Sequence, residues 1–345
     1  MIDYNLNPQI IDRLKSEFEC KERGEHLREG VCPACNKKSL WTWKATPGMV
    51  QCNRVGKCGY AETSKSLFPD LFEDLDKRYP VTKENPNATA DAYLAIVRGF
   101  ELDKLRGCYS QQNYWHPKGN RGSTSIRFYL SMEKGVYWER LVDDVTIIDA
   151  DGSVEVRNKS FKGSFKGLWW MPPGQKIELG DTIYLTEGIF DAIALWLAGL
   201  KACAIMSAGS LPKEELEKHF NKKLTFILAL DNDKAGRKFT KKHVQWLKEN
   251  NQNSSAMFSS EESGKCDWND LHQRDQLQDE HIHQYRHFGK LELVTLAKEK
   301  AQLIYDFADY KPKLFIFEHF NSHYRCAVDQ SKYEETYKEL SDTEN

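Results

Sequence analysis

Between residues 181 and 275 the chain alternates short apolar runs with amphipathic stretches. TIYLT (182–186), ACAIM (202–206) and LTFILAL (224–230) are nearly continuous in apolar side chains, as strands buried on both faces require. Between them, IFDAIALWLAG ends on Gly199, LPKEELEKHF carries Pro212 near its start, and KAGRKFTKKHVQWLKEN follows the third run; all three have helical periodicity. SAMFS (255–259) closes the series as a further short strand. Strand and helix in alternation predict a parallel sheet with right-handed crossovers.

The flanking regions are patterned differently. Ile10, Ile11, Leu14 and Phe18 fall on one face of an amphipathic helix within residues 1–20. Residues 64–90 hold Pro69, Pro80 and Pro86 among charged positions and read as a linker, ending in the turn-and-cap sequence NPNATA before the helix DAYLAIVRGF. SIRFYLSM, GVYWERLV and VTIIDA are short strands of an α+β unit over 91–180. Beyond Leu271 a polar helix over 280–308, a strand pair KLFIFEHF/YRCAV turning at 321–323, and a final charged helix are expected. The resulting division is 1–63, 64–90, 91–180, 181–275 and 276–345, within an α/β and α+β multidomain chain.

Charge and cysteine content narrow the classes. A formal net charge of −2 rules out a uniformly basic nucleic-acid coat, so any polynucleotide must be held by local patches. No signal-like segment or long apolar run is present, which predicts a cytoplasmic protein without a membrane partner. Nine cysteines in such a compartment point to metal rather than disulfides. Cys32, Cys35, Cys52 and Cys58 have the spacing C-x2-C-x16-C-x5-C of a structural zinc ribbon; the wide last gap leaves His26 as a replacement ligand. Trp41, Trp43, Lys37, Lys38, Lys44, Arg54 and Lys57 in this module suit base stacking and phosphate contact, or else a tryptophan core with a solvated rim.

The chemistry concentrates after the parallel strands. Glu187 follows TIYLT, Asp231 and Asp233 follow LTFILAL, and Asp267 and Asp270 stand in CDWNDL; Asp191 lies one helical turn beyond Glu187. Acids gathered at one sheet edge repel unless cations neutralise them, and hard oxygen donors suit Mg²⁺ or Mn²⁺. Alone, Glu187 and Asp191 could instead serve the dipole of a helix start, Asp231 and Asp233 a turn and an N-cap, and Asp267 and Asp270 could be loop acids. Lys234 and Arg237, just after the Asp pair, are placed near the metals; Lys238, Lys241 and Lys242 read as a solvated helix face. No G-x-x-x-x-G-K-[ST] segment is present, which argues against an ATP-driven helicase in this polypeptide.

LTEGIFDAIAL, LALDNDKAGRK and KCDWNDL resemble the E-G-x-x-D, D-x-D-x-A-G and D-x-N-D/E segments of the Toprim fold, shared by primases, topoisomerases and some nucleases. With a cysteine ribbon upstream, residues 25–275 resemble bacterial DnaG-type and phage or mobile-element primases. KSFKGSFKGLWW is similar to the lysine-bearing segment before Toprim in phage primases, which assigns Lys159, Lys162 and Lys166 to template or triphosphate phosphates; Arg121, Arg127 and Arg140 are weaker candidates. The resemblance implies template-directed synthesis of RNA primers on single-stranded DNA from nucleoside triphosphates. Glu187, Asp231 and Asp233 would be catalytic, and together with Asp191 and Asp267 they would hold the divalent metals, although a Toprim glutamate can act as acid or base without binding metal. A replicative helicase is a further implied partner, through the tail. The alternatives are a Toprim nuclease, a strand-passage enzyme, for which the chain has little room, and a non-catalytic zinc and Toprim adaptor.

Overall fold

The computed structural model describes residues 4–54, 56–259 and 266–294. The chain divides into two compact units, Met1–Gly163 and Ser164–Asn345. The strand pair and final helix expected beyond residue 294 lie outside the described residues.

The first unit begins with helix α1 (Asn7–Phe18), which turns Ile10 and Leu14 inward. Five antiparallel strands follow in sequential order: β1 (Lys21–Arg23), β2 (His26–Val31), β3 (Lys38–Trp43), β4 (Met49–Cys52) and β5 (Ala61–Thr63). Leu14, Leu27, Leu40 and Val50 are fully buried, and this small core is supplied by alternate positions of the strands. Gly30 is required where the sheet meets the end of α1, because a Cβ there would stand 2.3 Å from the Cys20 sulfur.

The 64–90 segment is more than a linker. It forms α2 (Ser64–Leu67), a 3₁₀ turn and α3 (Leu75–Arg78), with Phe68 and Leu75 buried. Phe68 packs edge-on against Phe18 with ring centroids 6.2 Å apart, and Arg13 lies over the Phe68 ring while pairing with Asp70 at 2.8 Å. Two buried apolar side chains, Phe68 and Leu75, anchor this polar, proline-bearing stretch.

Helix α4 (Ala88–Ala92) runs on through a π-helical turn to Val97 and is followed by a second antiparallel sheet: β6 (Ser110–Tyr114), β7 (Ser123–Ser131), β8 (Val136–Ile148) and β9 (Val154–Lys162). GVYWERLV and VTIIDA, expected as two strands, are one strand with a register shift between Arg140 and Val145. KSFK, the start of the lysine-bearing segment, is the end of β9.

The boundary between the two units falls at 163/164. Trp169 and Ile177, which follow it, pack with Ile183, Leu185, Phe226 and Leu228 in the core of the second unit. There the strands are β10 (Thr182–Thr186), β11 (Lys201–Ala204), β12 (Thr225–Ala229) and β13 (Asn253–Ala256), all parallel and ordered β11-β10-β12-β13. The expected α/β alternation is therefore observed, with α5 (Ile189–Leu197), α6 (Lys213–Glu217) and α7 (Lys234–Glu249) as crossover helices. Helices α8 (Trp268–Gln273) and α9 (Asp279–Leu293) follow. α9 is not simply polar: it buries Ile282, Tyr285 and Phe288, and a Cβ on Gly289 would stand 2.0 Å from the Ala256 carbonyl oxygen of β13.

Candidate functional site

The chain reverses its direction of winding at β10. It crosses from β10 to β11 on one side, then returns past β10 to β12 on the other, so the carboxyl ends of β10 and β12 flank the crevice where open parallel sheets bind ligands. Glu187 leaves β10 at this crevice and Asp231 follows β12, with Thr186 and Ala229 in register.

Local chemistry fixes the two turns. The Thr186 hydroxyl donates to the Gly188 carbonyl at 3.0 Å, closing the strand-to-helix turn. Gly188 is needed there, since a Cβ would meet an Asp191 carboxylate oxygen at 2.7 Å. After β12, Asp233 caps α7 by accepting from the Gly236 N–H at 2.6 Å. Gly236 packs so tightly that a Cβ would stand 2.0 Å from the Asp231 carbonyl oxygen. Gly236→Ala must therefore displace the backbone that carries Asp231. We expect a loss of roughly 3 kcal/mol in a denaturant titration, against at most about 1 kcal/mol for Ala235→Gly in the exposed first turn of α7; equal small effects would show the contact to be soft.

The third motif docks on the first two. Asp191, buried in the first turn of α5, accepts from the backbone N–H groups of Trp268 at 3.0 Å and Asn269 at 3.4 Å. The Trp268 indole donates to the Ala229 carbonyl at 2.7 Å. Asp267 and Asp270 form a reciprocal capping box on α8, with bonds of 2.7 and 3.3 Å. Asn232 donates to the Ser259 carbonyl at 2.9 Å and accepts from Arg237 at 2.8 Å, and Arg237 pairs with Glu292 at 3.2 Å. Neither the Asn232 tie nor the Trp268 anchor has a signal in the sequence, because their partners lie far along the chain. Met206, in a left-handed conformation (φ 69°) just beyond β11, is equally silent there; its neighbour Ile205 bonds to the Thr186 carbonyl at 2.9 Å, next to Glu187.

These contacts separate the acids by role. Asp191, Asp233 and Asp267 each accept backbone N–H groups, so each caps a helix in addition to whatever else it does. Asp231 makes no side-chain hydrogen bond or ion pair among the described residues. Burial first, then the charges of Glu187, Asp267 and Asp233, push its carboxyl up to about 6. Burial and the charges of Asp267 and Asp231 likewise hold Asp191 well above the ordinary range. The acids thus share one repulsive field, the situation a divalent cation relieves. They are not drawn together as a closed cage: among the described residues, the four ribbon cysteines form the metal-competent group whose ligand atoms all lie within 4.8 Å of one another. A wider acid set suits Mg²⁺, which keeps several waters and takes one or two carboxylates.

The cysteine site is geometrically complete. Cys32 and Cys58 sulfurs are 3.8 Å apart and those of Cys35 and Cys52 4.0 Å; a tetrahedron with bonds of about 2.3 Å has edges of about 3.8 Å. The thiols are in conflict without a cation. Burial works to raise Cys35, but the Lys37 backbone and the neighbouring Cys58, Ser39 and Cys32 side chains outweigh it and bring the thiol down to about 6. The Tyr60 backbone favours the Cys58 thiolate, yet burial and the other three cysteines push it up to about 11. The set fits Zn²⁺. His26 is no replacement ligand: its ring packs on Trp43 at a centroid distance of 3.8 Å, near Trp41. Trp43 is exposed and Trp41 half-buried, so these rings form a surface cluster and not a core, while Lys44 pairs with Glu22.

The remaining cations divide. Lys162 pairs across the sheet with Tyr137 and Lys159 with Arg140, which puts the two lysines on opposite faces of β9. Lys166 is exposed in the second unit, and Lys234 is exposed at the first position of α7. Arg127 is engaged with buried Glu139 at 3.0 Å, Arg140 donates to the Tyr93 hydroxyl at 3.0 Å, and Arg121 lies 3.6 Å from Asp143. No helix among the described residues is long and apolar enough to cross a membrane.

Residues 184–272, within the second unit, match the family model described as Toprim-like. No curated protein matches the chain. Among solved structures it is similar to the zinc-binding and RNA polymerase domains of the Aquifex aeolicus primase, at 16% identity and a TM-score of 0.39, covering 95% of this chain and 94% of that one. It is also similar to the RNA polymerase domain of Mycobacterium tuberculosis primase DnaG, at 13% identity and a TM-score of 0.43, covering 77% and 94%. The primase fragment of the bacteriophage T7 primase-helicase protein is a further likeness, at 16% identity and a TM-score of 0.33, covering 74% and 96%.

Proposed function

We propose that this chain is a DNA primase, which joins nucleoside triphosphates into short RNA primers on a single-stranded DNA template. The observation that carries the proposal is Asp231: an acid at the sheet's switch point, opposite Glu187, with its carboxyl raised and no structural partner among the described residues. A residue kept at that cost has work other than stability. Asp231 and Glu187 would hold Mg²⁺ or Mn²⁺, with Asp233 and Asp267 on the rim and Asp191 fixing the α8 end. When bound, the dication lowers the charge cost of hydroxyl attack on the α-phosphate and of pyrophosphate departure. Glu187, the acid at the end of the neighbouring strand, would orient the attacking hydroxyl or take its proton.

The other parts fit the same reaction. The exposed ring of Trp43 and the half-buried ring of Trp41 beside His26 suit stacking on unpaired bases, which any base can satisfy. Lys162, Lys159, Lys166 and Lys234 would meet phosphates of template and incoming triphosphate. A helicase partner would dock through the tail, of which residues beyond 294 lie outside the described part.

The test is an assay of the full chain with single-stranded DNA, Mg²⁺ and labelled nucleoside triphosphates, with product length resolved. Short RNA products that need the template are expected. Cleavage of the DNA with no incorporation would replace the proposal by a nuclease, and binding with neither reaction would replace it by an adaptor.

A further inference from the structure

Helix α7 breaks two rules of helix electrostatics at once. Its first turn carries no acid and begins with Lys234, at the end where the helix dipole already repels cations, and Lys238, Lys241 and Lys242 follow along the helix. Lys234 with Lys238, and Lys238 with Lys242, are also like charges one turn apart, an arrangement that weakens a helix. All four are exposed, as is Lys248, and none of the five makes an ion pair among the described residues. Some lysines elsewhere are paired, as Lys15 is with Glu22, Lys77 with Asp74, Lys118 with Asp149, Lys201 with Asp181 and Lys218 with Glu215, and others are not; what sets α7 apart is that its unpaired lysines share one side of a single helix. In a chain of formal net charge −2, an unpaired cationic stripe laid against the helix dipole calls for an anion.

The stripe has a direction. The opposite side of α7 is pinned in the core by Gly236, Thr240, His243, Val244 and Leu247, with the His243 ring donating to the Ala208 carbonyl at 2.7 Å. The lysine side is therefore fixed outward. The helix begins at its cap Asp233, two residues from Asp231, so the stripe starts at the acid site and leads away from it. From Lys234 to Lys248 it extends about 21 Å, the length of about six phosphates along one strand of a duplex.

The geometry points to α7 as a track for the phosphodiester backbone of a polynucleotide passing from the acid site. The track goes beyond the sequence expectation of a solvated face for Lys238, Lys241 and Lys242; it rests on the primase reading only for which strand lies on it. Flexible lysines without base-reading side chains make the contact independent of sequence.

The test uses the full chain and its K238Q/K241Q/K242Q variant, with a fluorescein-labelled single-stranded oligodeoxynucleotide followed by anisotropy over a salt series. Three lost phosphate contacts should lower the slope of log affinity against log salt by about 2 and weaken binding at least about tenfold at low salt. Thermal stability should hold or rise, because like-charge repulsion is removed; a structural role would lower it. An unchanged slope and affinity, or weaker binding accompanied by a fall in melting temperature, overturns the track. Nucleotide incorporation by the unaltered chain is measured in parallel. A reduced slope without incorporation keeps the track and refutes the primase reading, and incorporation with an unchanged slope does the reverse.

Discussion

Replacing Asp231 by Asn should abolish Mg²⁺-dependent nucleotide incorporation, by roughly 10³-fold or more, and should raise the melting temperature of the metal-free protein. The pairing of these two results is what identifies the residue. An ordinary capping aspartate stabilises its helix by about 1 kcal/mol, so its removal lowers stability. Among the described residues Asp231 caps nothing, and its charge is opposed by burial and by Glu187, Asp267 and Asp233. Asparagine keeps the shape and removes the repulsion. Asp233→Asn and Asp267→Asn serve as contrasts, since both residues accept backbone N–H groups and neither substitution should stabilise.

The pH dependence carries the same sign. The folded-state carboxyl of Asp231 titrates near 6, above its ordinary 3.8, so between these values the native state holds more protons than the unfolded chain. Its stabilising contribution is fully present below about 4 and is lost as pH rises through 6. In chelator, the Asp231→Asn variant should therefore gain most over the parent at pH 7 and little at pH 4. Added Mg²⁺ should stabilise the parent at pH 7 more than at pH 5, and the variant less than the parent. A variant that is less stable at neutral pH, or one that retains near-normal incorporation, would return Asp231 to the ranks of structural turn residues.

Much of the second unit is legible in the sequence because its central strands are buried on both sides. A run as short and as apolar as TIYLT or LTFILAL, set between helical stretches, fits a strand covered on both faces, and an acid immediately after it must surface at the sheet edge. The acids themselves cannot be ranked that way, because Glu187, Asp191, Asp231, Asp233 and Asp267 all stand at helix starts. Their roles separate only through partners: Asp191 bonds to the Trp268 N–H across a separation of 77 residues, and such a bond leaves no local trace. The lysine segment misleads for a related reason. Glycine and lysine in KSFKGSFKG read as loop, while the pairing of β9 with β8 extends the strand to Lys162. Likewise Asp143 and Asp144 read as a turn, but β8 absorbs them with a register shift and continues to Ile148. In the 64–90 segment Phe68 and Leu75 are buried among polar neighbours, and so few apolar positions give no periodic signal.

Removing the ribbon's metal should have the other large effect. Among the described residues up to 63, the buried aliphatic side chains of the module are Leu6, Ile10, Leu14, Leu27, Leu40 and Val50, too little to hold five short strands by burial alone. A structural Zn²⁺ contributes about 10–16 kcal/mol in zinc-finger peptides, as much as the whole stability of many domains. Cys35→Ser should thus lose one equivalent of zinc and unfold the strands around the site. The loss should spread beyond residue 63, because α1 is joined to the following segment through Phe18 on Phe68 and Arg13 on Asp70. Limited proteolysis should accordingly open the chain before and within 64–78 while leaving the parallel sheet protected. Point substitution is the sounder test than truncation at 63, which would strip Phe68 of its cover. Functionally, initiation on bare single-stranded DNA should disappear, while weak extension of a pre-annealed RNA primer persists, since the acids and α7 belong to the other unit. A zinc-free Cys35→Ser protein that resists protease and initiates normally would show the four cysteines to be packing residues and remove the ribbon from the reaction.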